Sequence, residues 1–221
     1  MSRPYWIIAI LLTLSAWAVA GWLYPNLPQR VPTHWNIEGK ADGWGDKSWA
    51  TFLVPGMMVA MLVFFAFLPA LSPKHFEVDT FRSTYLYIMV LITALFTYMN
   101  GVVLLATWQE VRGGEKFMDI GRALIGGMFL FFALLGNVMG KVRKNFYIGI
   151  RVPWTLASDR VWNDTHRLAA WLMVAGGLIG LLLVLAGLNL LWAFGVLMVT
   201  FVIPIVYSFV HYKSLERQGA L

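Results

Sequence analysis

Ser158, Asp164 and His166 are the residue types of a hydrolytic triad, and they fall in one short stretch of the chain. A triad needs an oriented hydrogen-bonded chain and an oxyanion hole, and three residues in one connecting segment establish neither. His34 has no second His or Cys near it, so its surroundings do not predict a zinc site. No glycine-rich phosphate loop follows a strand. The absence of cysteine excludes disulfides and thiolate ligands. The expectation is therefore a protein without enzymatic activity, cofactor or resident metal.

Two other constellations are richer. In the first, Lys141, Arg143, Lys144, Asn145, Gly149, Arg151, Pro153 and Trp154 precede Ser158, Trp162 and His166. Gly149 and Pro153 rule out a continuous helix through this stretch. Phe146, Tyr147, Ile148, Ile150 and Val152 are too apolar for a free linker, so the segment is expected to fold back on the membrane interface or the bundle. Ser158 is placed to cap a following helix, on which Trp162 and His166 share a face, as do Arg160 and Asp164. Lys141, Arg143 and Lys144 are also the residues expected of a topology determinant near anionic headgroups.

The second constellation is Pro32, His34, Trp35, Asn36, Gly39, Asp42, Trp44 and Lys47. Pro25, Pro28 and Pro32 give an extended start, and Gly39, Gly43 and Gly45 permit tight turns. Two readings stand side by side. His34, Trp35 and Asn36 line a pocket with one aromatic wall and two polar contacts, or the tryptophans form an interfacial belt.

The elements that hold these residues are apolar. Of 221 residues, 59% are hydrophobic and 13% charged, against about 25% charged in a soluble domain. Six runs are long enough to cross a bilayer: Tyr5–Leu23, Thr51–Leu71, Tyr85–Thr107, Gly121–Met139, Leu168–Gly187 and Leu190–Val210. The first carries Arg3 and an Ala18-Val19-Ala20 resembling a signal-peptidase site. Its length and the flanking Trp17 and Trp22 read instead as an uncleaved span. Leu188 and Asn189 alone separate the last two runs, which predicts a tight helical hairpin.

Charge sets the expected orientation. Of 17 Lys and Arg, eleven lie with the termini, the second loop and the fourth loop, and six lie on the other side. The positive-inside rule then places both termini and the 141–167 loop in the cytoplasm and the 24–50 loop outside. Topology thus accounts for the net charge of +6, and no direct nucleic-acid binding is expected. Every Asp and Glu falls outside the six runs, which counts against ion-coupled transport. Thr93, Thr97 and Asn100 make a polar stripe on the third run, read as packing or, more sharply, as a substrate path. Gly136 and Gly140, and Gly176 and Gly180, are spaced for close helix approach.

The residues Gly136, Asn137 and Met139, then Asn145, Ile148–Arg151, Pro153–Leu156, Val161 and Trp162, resemble the signature of the SdpI family. Pro32, His34–Asn36, Gly39, Asp42 and Lys47 resemble the domain of unknown function that often precedes it. The resemblance implies an all-α protein of six transmembrane helices in the bacterial cytoplasmic membrane. It would have a two-span unit over 1–71 with an extracellular loop, a connecting span over 72–120, and a signature unit over 121–221. Its implied function is immunity to a secreted hydrophobic peptide toxin, with toxin sensing and capture of a cytoplasmic helix-turn-helix repressor. The toxin would meet His34, Trp35, Asn36, Gly39, Asp42 and Lys47. The partner face would be Asn137, Lys141, Arg143, Asn145, Gly149, Arg151, Pro153, Trp154, Trp162 and His166. A small transporter of a hydrophobic or neutral substrate is the alternative, and a membrane enzyme centred on His166, Asp164 and Arg151 a weaker one.

Overall fold

The computed structural model describes residues 2–36, 39–74, 76–113 and 118–221. Its helices are α1 (Arg3–Leu23), α2 (Lys47–Phe67), α3 (Arg82–Arg112), α4 (Ile120–Met139), α5 (Pro153–Ala157), α6 (Asp159–Leu185) and α7 (Leu190–Arg217). All but α5 are long and apolar enough to cross a membrane. In such a solvent only an element that satisfies its own backbone is viable, and helices do so within one segment. Most helices outrun the apolar stretches. Glu110, Asp159 and Glu216 therefore lie on helices, in their terminal turns, and Asp164 lies in the second turn of α6.

The chain forms two compact units, Met1–Phe65 with Met89–Met128, and Ala66–Ile88 with Phe129–Leu221. In the first, Ala20, Leu23, Leu27, Val31 and Leu104 form one buried cluster, and Val102, Ala106 and Ile120 another. The Thr93 and Thr97 hydroxyls donate to helix carbonyls, of Met89 at 2.8 Å and Thr93 at 2.9 Å. Thr97 Oγ1 also lies 3.4 Å from the Leu12 carbonyl of α1, so both hydroxyls have carbonyl partners within the protein. Asn100 is buried beside them.

The first unit also contains structure outside the all-helical expectation. Strands β1 (Arg30–Trp35) and β2 (Ala41–Asp46) pair antiparallel, with Arg30 opposite Asp46 and Val31 opposite Gly45. Pro32 is tolerated because each strand of a two-stranded ribbon has a free edge. A Cβ on Gly43 would lie 2.9 Å from His34 Cβ, and one on Gly45 2.9 Å from Thr33 Cγ2. Those glycines make room for the β1 side chains.

In the second unit, α6 and α7 form the expected hairpin, closed by Gly187 at φ 74° and by Asn189, whose side chain caps α7. Gly136 meets α6 closely enough that a Cβ would sit 2.8 Å from Met173 Cβ and 2.9 Å from the Ala170 carbonyl. Gly177 likewise faces the Phe129 carbonyl, 2.7 Å from where its Cβ would be, whereas Gly140 leaves ordinary contact distances.

Candidate functional site: the 141–167 lobe and the β1–β2 hairpin

Between α4 and α6 the chain folds back on α6 as a lobe held by buried polar groups. Asn145 uses its whole carboxamide: Nδ2 donates to the Arg143 and Ile148 carbonyls at 2.8 and 3.0 Å, and Oδ1 accepts from the Tyr147 and Ile148 amides, both at 2.7 Å. The side chain is fully buried, and no other neutral residue of that size offers two donors and an acceptor in one plane. The chain then turns at Gly149, whose φ of 117° suits only glycine. A Cβ there would also collide with His166 Nε2.

Absence of that Cβ lets the Ile150 amide donate to His166 Nε2 at 3.0 Å. His166 Nδ1 lies 2.8 Å from the Trp162 carbonyl. The backbone thus dictates the tautomer, with the proton on Nδ1 donated to Trp162 and Nε2 accepting. Trp162 stacks on the imidazole with centroids 4.0 Å apart, and its Nε1 donates to the Val142 carbonyl at 2.8 Å. The expected common face of Trp162 and His166 is therefore a clamp on both arms of the lobe.

Pro153 opens the short helix α5, where its missing N–H costs nothing. Thr155, buried beneath it, donates to the Ile150 carbonyl at 2.7 Å and accepts from the Val152 amide at 3.1 Å. Trp154 stands edge-on to Phe209 at 5.2 Å and donates to Ser208 Oγ, tying the lobe to α7. Arg151 donates to the Phe146 carbonyl and is otherwise exposed. Asn137, Lys141 and Arg143 are exposed as well. Ser158 caps α6, accepting from the Val161 amide.

The triad types are not assembled as a triad. Asp164 faces His211 Nε2 at 3.0 Å and Arg167 at 4.0 Å, and not His166 or the expected Arg160. Both nitrogens of His166 are committed to backbone. Thr165 is fully buried, and its hydroxyl finds no partner among the described residues. Thr155 and Ser208 join the site beyond the residues expected of it; Thr155 falls within the Pro153–Leu156 run, and Ser208 is a hydroxyl within the last apolar run.

The residues expected of the hairpin site divide among three jobs. His34 Nδ1 and Asp42 Oδ1 form an exposed pair at 2.5 Å. Trp35 packs toward Val102, Ala106 and Ile120. Asn36 closes the turn, its Oδ1 accepting from the Lys40 amide at 3.0 Å and its carbonyl from the Gly39 amide at 2.9 Å, with Gly39 at φ 70°. Lys47 donates to the Leu27 carbonyl at 3.1 Å and lies 4.5 Å from the Tyr24 ring centroid. Asp46 accepts from the Ser48 amide at 2.8 Å and from Gln29 at 2.7 Å. The Ser48 amide is the chief reason its carboxyl lies below the usual carboxylate value.

No solved structure matches this chain with significance. The model of the SdpI/YfhL protein family matches residues 141–208, which takes in the lobe, α6 and most of α7. That of a domain of unknown function, DUF1648, matches residues 11–59, which takes in the hairpin. A curated relative, Immunity protein SdpI of Bacillus subtilis (strain 168), is 28% identical over 214 residues, covering 95% of this chain and 97% of its own length. With two family models falling on the two folded connections and one relative aligned nearly end to end, the chain is a multi-pass bacterial membrane protein that carries an SdpI/YfhL-like segment and is similar to an SdpI immunity protein along nearly its whole length.

Proposed function

We propose that this chain is a membrane immunity protein that protects its bacterium from a secreted hydrophobic peptide toxin. It would also signal the toxin's presence through the 141–167 lobe. The geometric observation behind this reading is the state of His166. Both ring nitrogens are spent on the Ile150 amide and the Trp162 carbonyl, so the lobe's one buried histidine holds a surface in shape and is not available as a base. The alignment with an immunity protein along nearly the whole chain supports the same reading.

In this mechanism the toxin meets the hairpin, around His34, Trp35, Asn36, Gly39, Asp42 and Lys47, together with the apolar spans. A ligand shifts only an equilibrium whose states it binds differently, so the toxin favours one packing of the spans. The lobe hangs on α6 through Trp162 and His166 and on α7 through Trp154. A change between those helices re-aims Arg151 and Trp154, and with them the face that holds a helix-turn-helix repressor at the membrane.

Survival of a sensitive bacterial strain expressing this chain, challenged with the sporulation-delay toxin, tests the reading. Arg151→Ala and Trp35→Ala variants are compared at matched membrane levels. Protection by the wild type, lost in Trp35→Ala and kept in Arg151→Ala with repressor release altered, is the expected result. A wild-type chain that gives no protection would overturn the immunity reading.

A further inference from the structure

Beside the lobe lies a cleft of about 400 Å³, lined by Phe76, Thr80, Arg143, Lys144, Asp159, Trp162 and Asn163. Among its lining groups, the Trp162 indole N–H holds the Val142 carbonyl, and the Lys144–Asp159 pair ties the lobe to α6. Two neighbouring cations line it, and their backbone is fixed on both sides. The Val142 carbonyl is held by Trp162 Nε1 at 2.8 Å and the Arg143 carbonyl by Asn145 Nδ2 at 2.8 Å. Arg143 has no ion pair among the described residues, while Lys144 reaches the Asp159 carboxylate at 2.6 Å. That carboxylate is 79% exposed, so it is free to swing into water at little cost. A carboxylate resting on one cation beside a second, unpaired cation is an internal stand-in for an external anion.

We propose that this cleft binds a phosphate-bearing anion, a phospholipid headgroup or free phosphate, in place of the Asp159 carboxylate. Arg143 and Lys144 supply charge-assisted donors, and Asn163 adds a carboxamide beside them, while the Thr80 hydroxyl is already donated to the Glu77 carbonyl at 2.8 Å. Phe76, whose ring centroid lies 4.3 Å from that of Phe146 and 5.7 Å from Lys144 Nζ, makes the apolar wall along which a glyceryl group would lie. The cleft lies between the segment before α3 and the start of α6, where apolar helices meet their charged ends, which is the depth of lipid phosphates. Bound there, the anion ties the segment before α3 to the lobe. The inference does not rest on the immunity reading.

The test titrates detergent-purified full-length protein with dihexanoyl phosphatidic acid and, separately, with inorganic phosphate, reading saturation by native mass spectrometry and phosphorus NMR. Saturable binding of at least one probe is expected. Arg143→Gln with Lys144→Gln should weaken it by about tenfold or more. Lys141→Gln removes a cation of the same loop outside the cleft and should leave binding unchanged. Asp159→Asn should tighten binding by roughly threefold or more, by removing the competing anion. Asp119→Asn makes the same charge change elsewhere and should not. A gain of affinity cannot come from misfolding, so this variant keeps the proposal testable if the double variant unfolds. Binding of phosphatidate alone assigns a lipid headgroup, and equal binding of both probes assigns the free anion. Binding of neither, or binding indifferent to the double variant and to Asp159→Asn, would overturn the proposal.

Discussion

The hairpin Arg30–Asp46 and the lobe at 141–167 both connect membrane helices, yet they are held by opposite means. The hairpin is plugged in by apolar side chains, Val31 in one cluster and Trp35 against another. Its polar pair, His34 with Asp42, stays in water. The lobe reverses this: Asn145, Thr155, Trp162 and His166 are buried and spend their polar atoms on its own backbone. A plug tolerates any residue that fills the space, whereas a saturated polar lock fails when one member is removed, because its partners are left desolvated. The lobe should therefore be specific and brittle, and the hairpin tolerant.

The sharpest way to break this comparison is to place one methyl in each region. Gly149→Ala combines a disallowed φ with a collision at His166 and should destabilise the second unit by about 3 kcal/mol or more. Gly39→Ala meets open space and should cost only the left-handed backbone term, about 1 kcal/mol. Thermal unfolding in detergent, with limited proteolysis between 141 and 158, reads both. Equal losses would end the distinction. Asn145→Ala comes next, at about 2–4 kcal/mol, because two carbonyls and two amides lose a buried partner together. Proteolysis should then open the lobe while the α6–α7 hairpin stays protected.

Thr165→Val probes the lock from the other side. Its hydroxyl is buried without a partner, so an isosteric apolar group should stabilise the protein by about 1 kcal/mol, visible as a higher melting temperature. A loss of stability would mean that the hydroxyl is bonded after all. The smallest effect belongs to the hairpin. Because the folded-state pKa of Asp46 is depressed, its contribution is present above the unfolded value and lost as pH falls through the folded one. Protection of the Ser48 amide, taken relative to its intrinsic exchange rate, should accordingly fall as pH drops below the usual carboxylate value, and Asp46→Asn should abolish that acid dependence.

The spans were legible because bilayer thickness converts directly into a length of apolar chain, and α4 ends at Met139 as the composition requires. Helix periodicity also put Trp162 and His166 on one face. The hairpin was not legible as strands: β1 carries a proline and β2 reads Ala-Asp-Gly-Trp-Gly-Asp, without the alternation that marks a half-buried strand. Nor could the sequence say what meets His166 Nε2. That donor is a backbone amide sixteen positions upstream, delivered by two turns whose angles no side-chain pattern encodes.

The glycine contacts of α6 have a mechanical consequence. Gly177 packs on α4 without side-chain padding, which makes it the natural fulcrum of a rod that begins at Asp159. The arm from Gly177 to Asp159 is about 27 Å long at 1.5 Å per residue, so tilting α6 by about 5° carries its first turn roughly 2 Å sideways. Trp162 and His166 ride on that arm and take the lobe with them, but Ser208 stays on α7. A tilt of α6 about that point would therefore load first the bond from Trp154 to Ser208, the lobe's tie to α7.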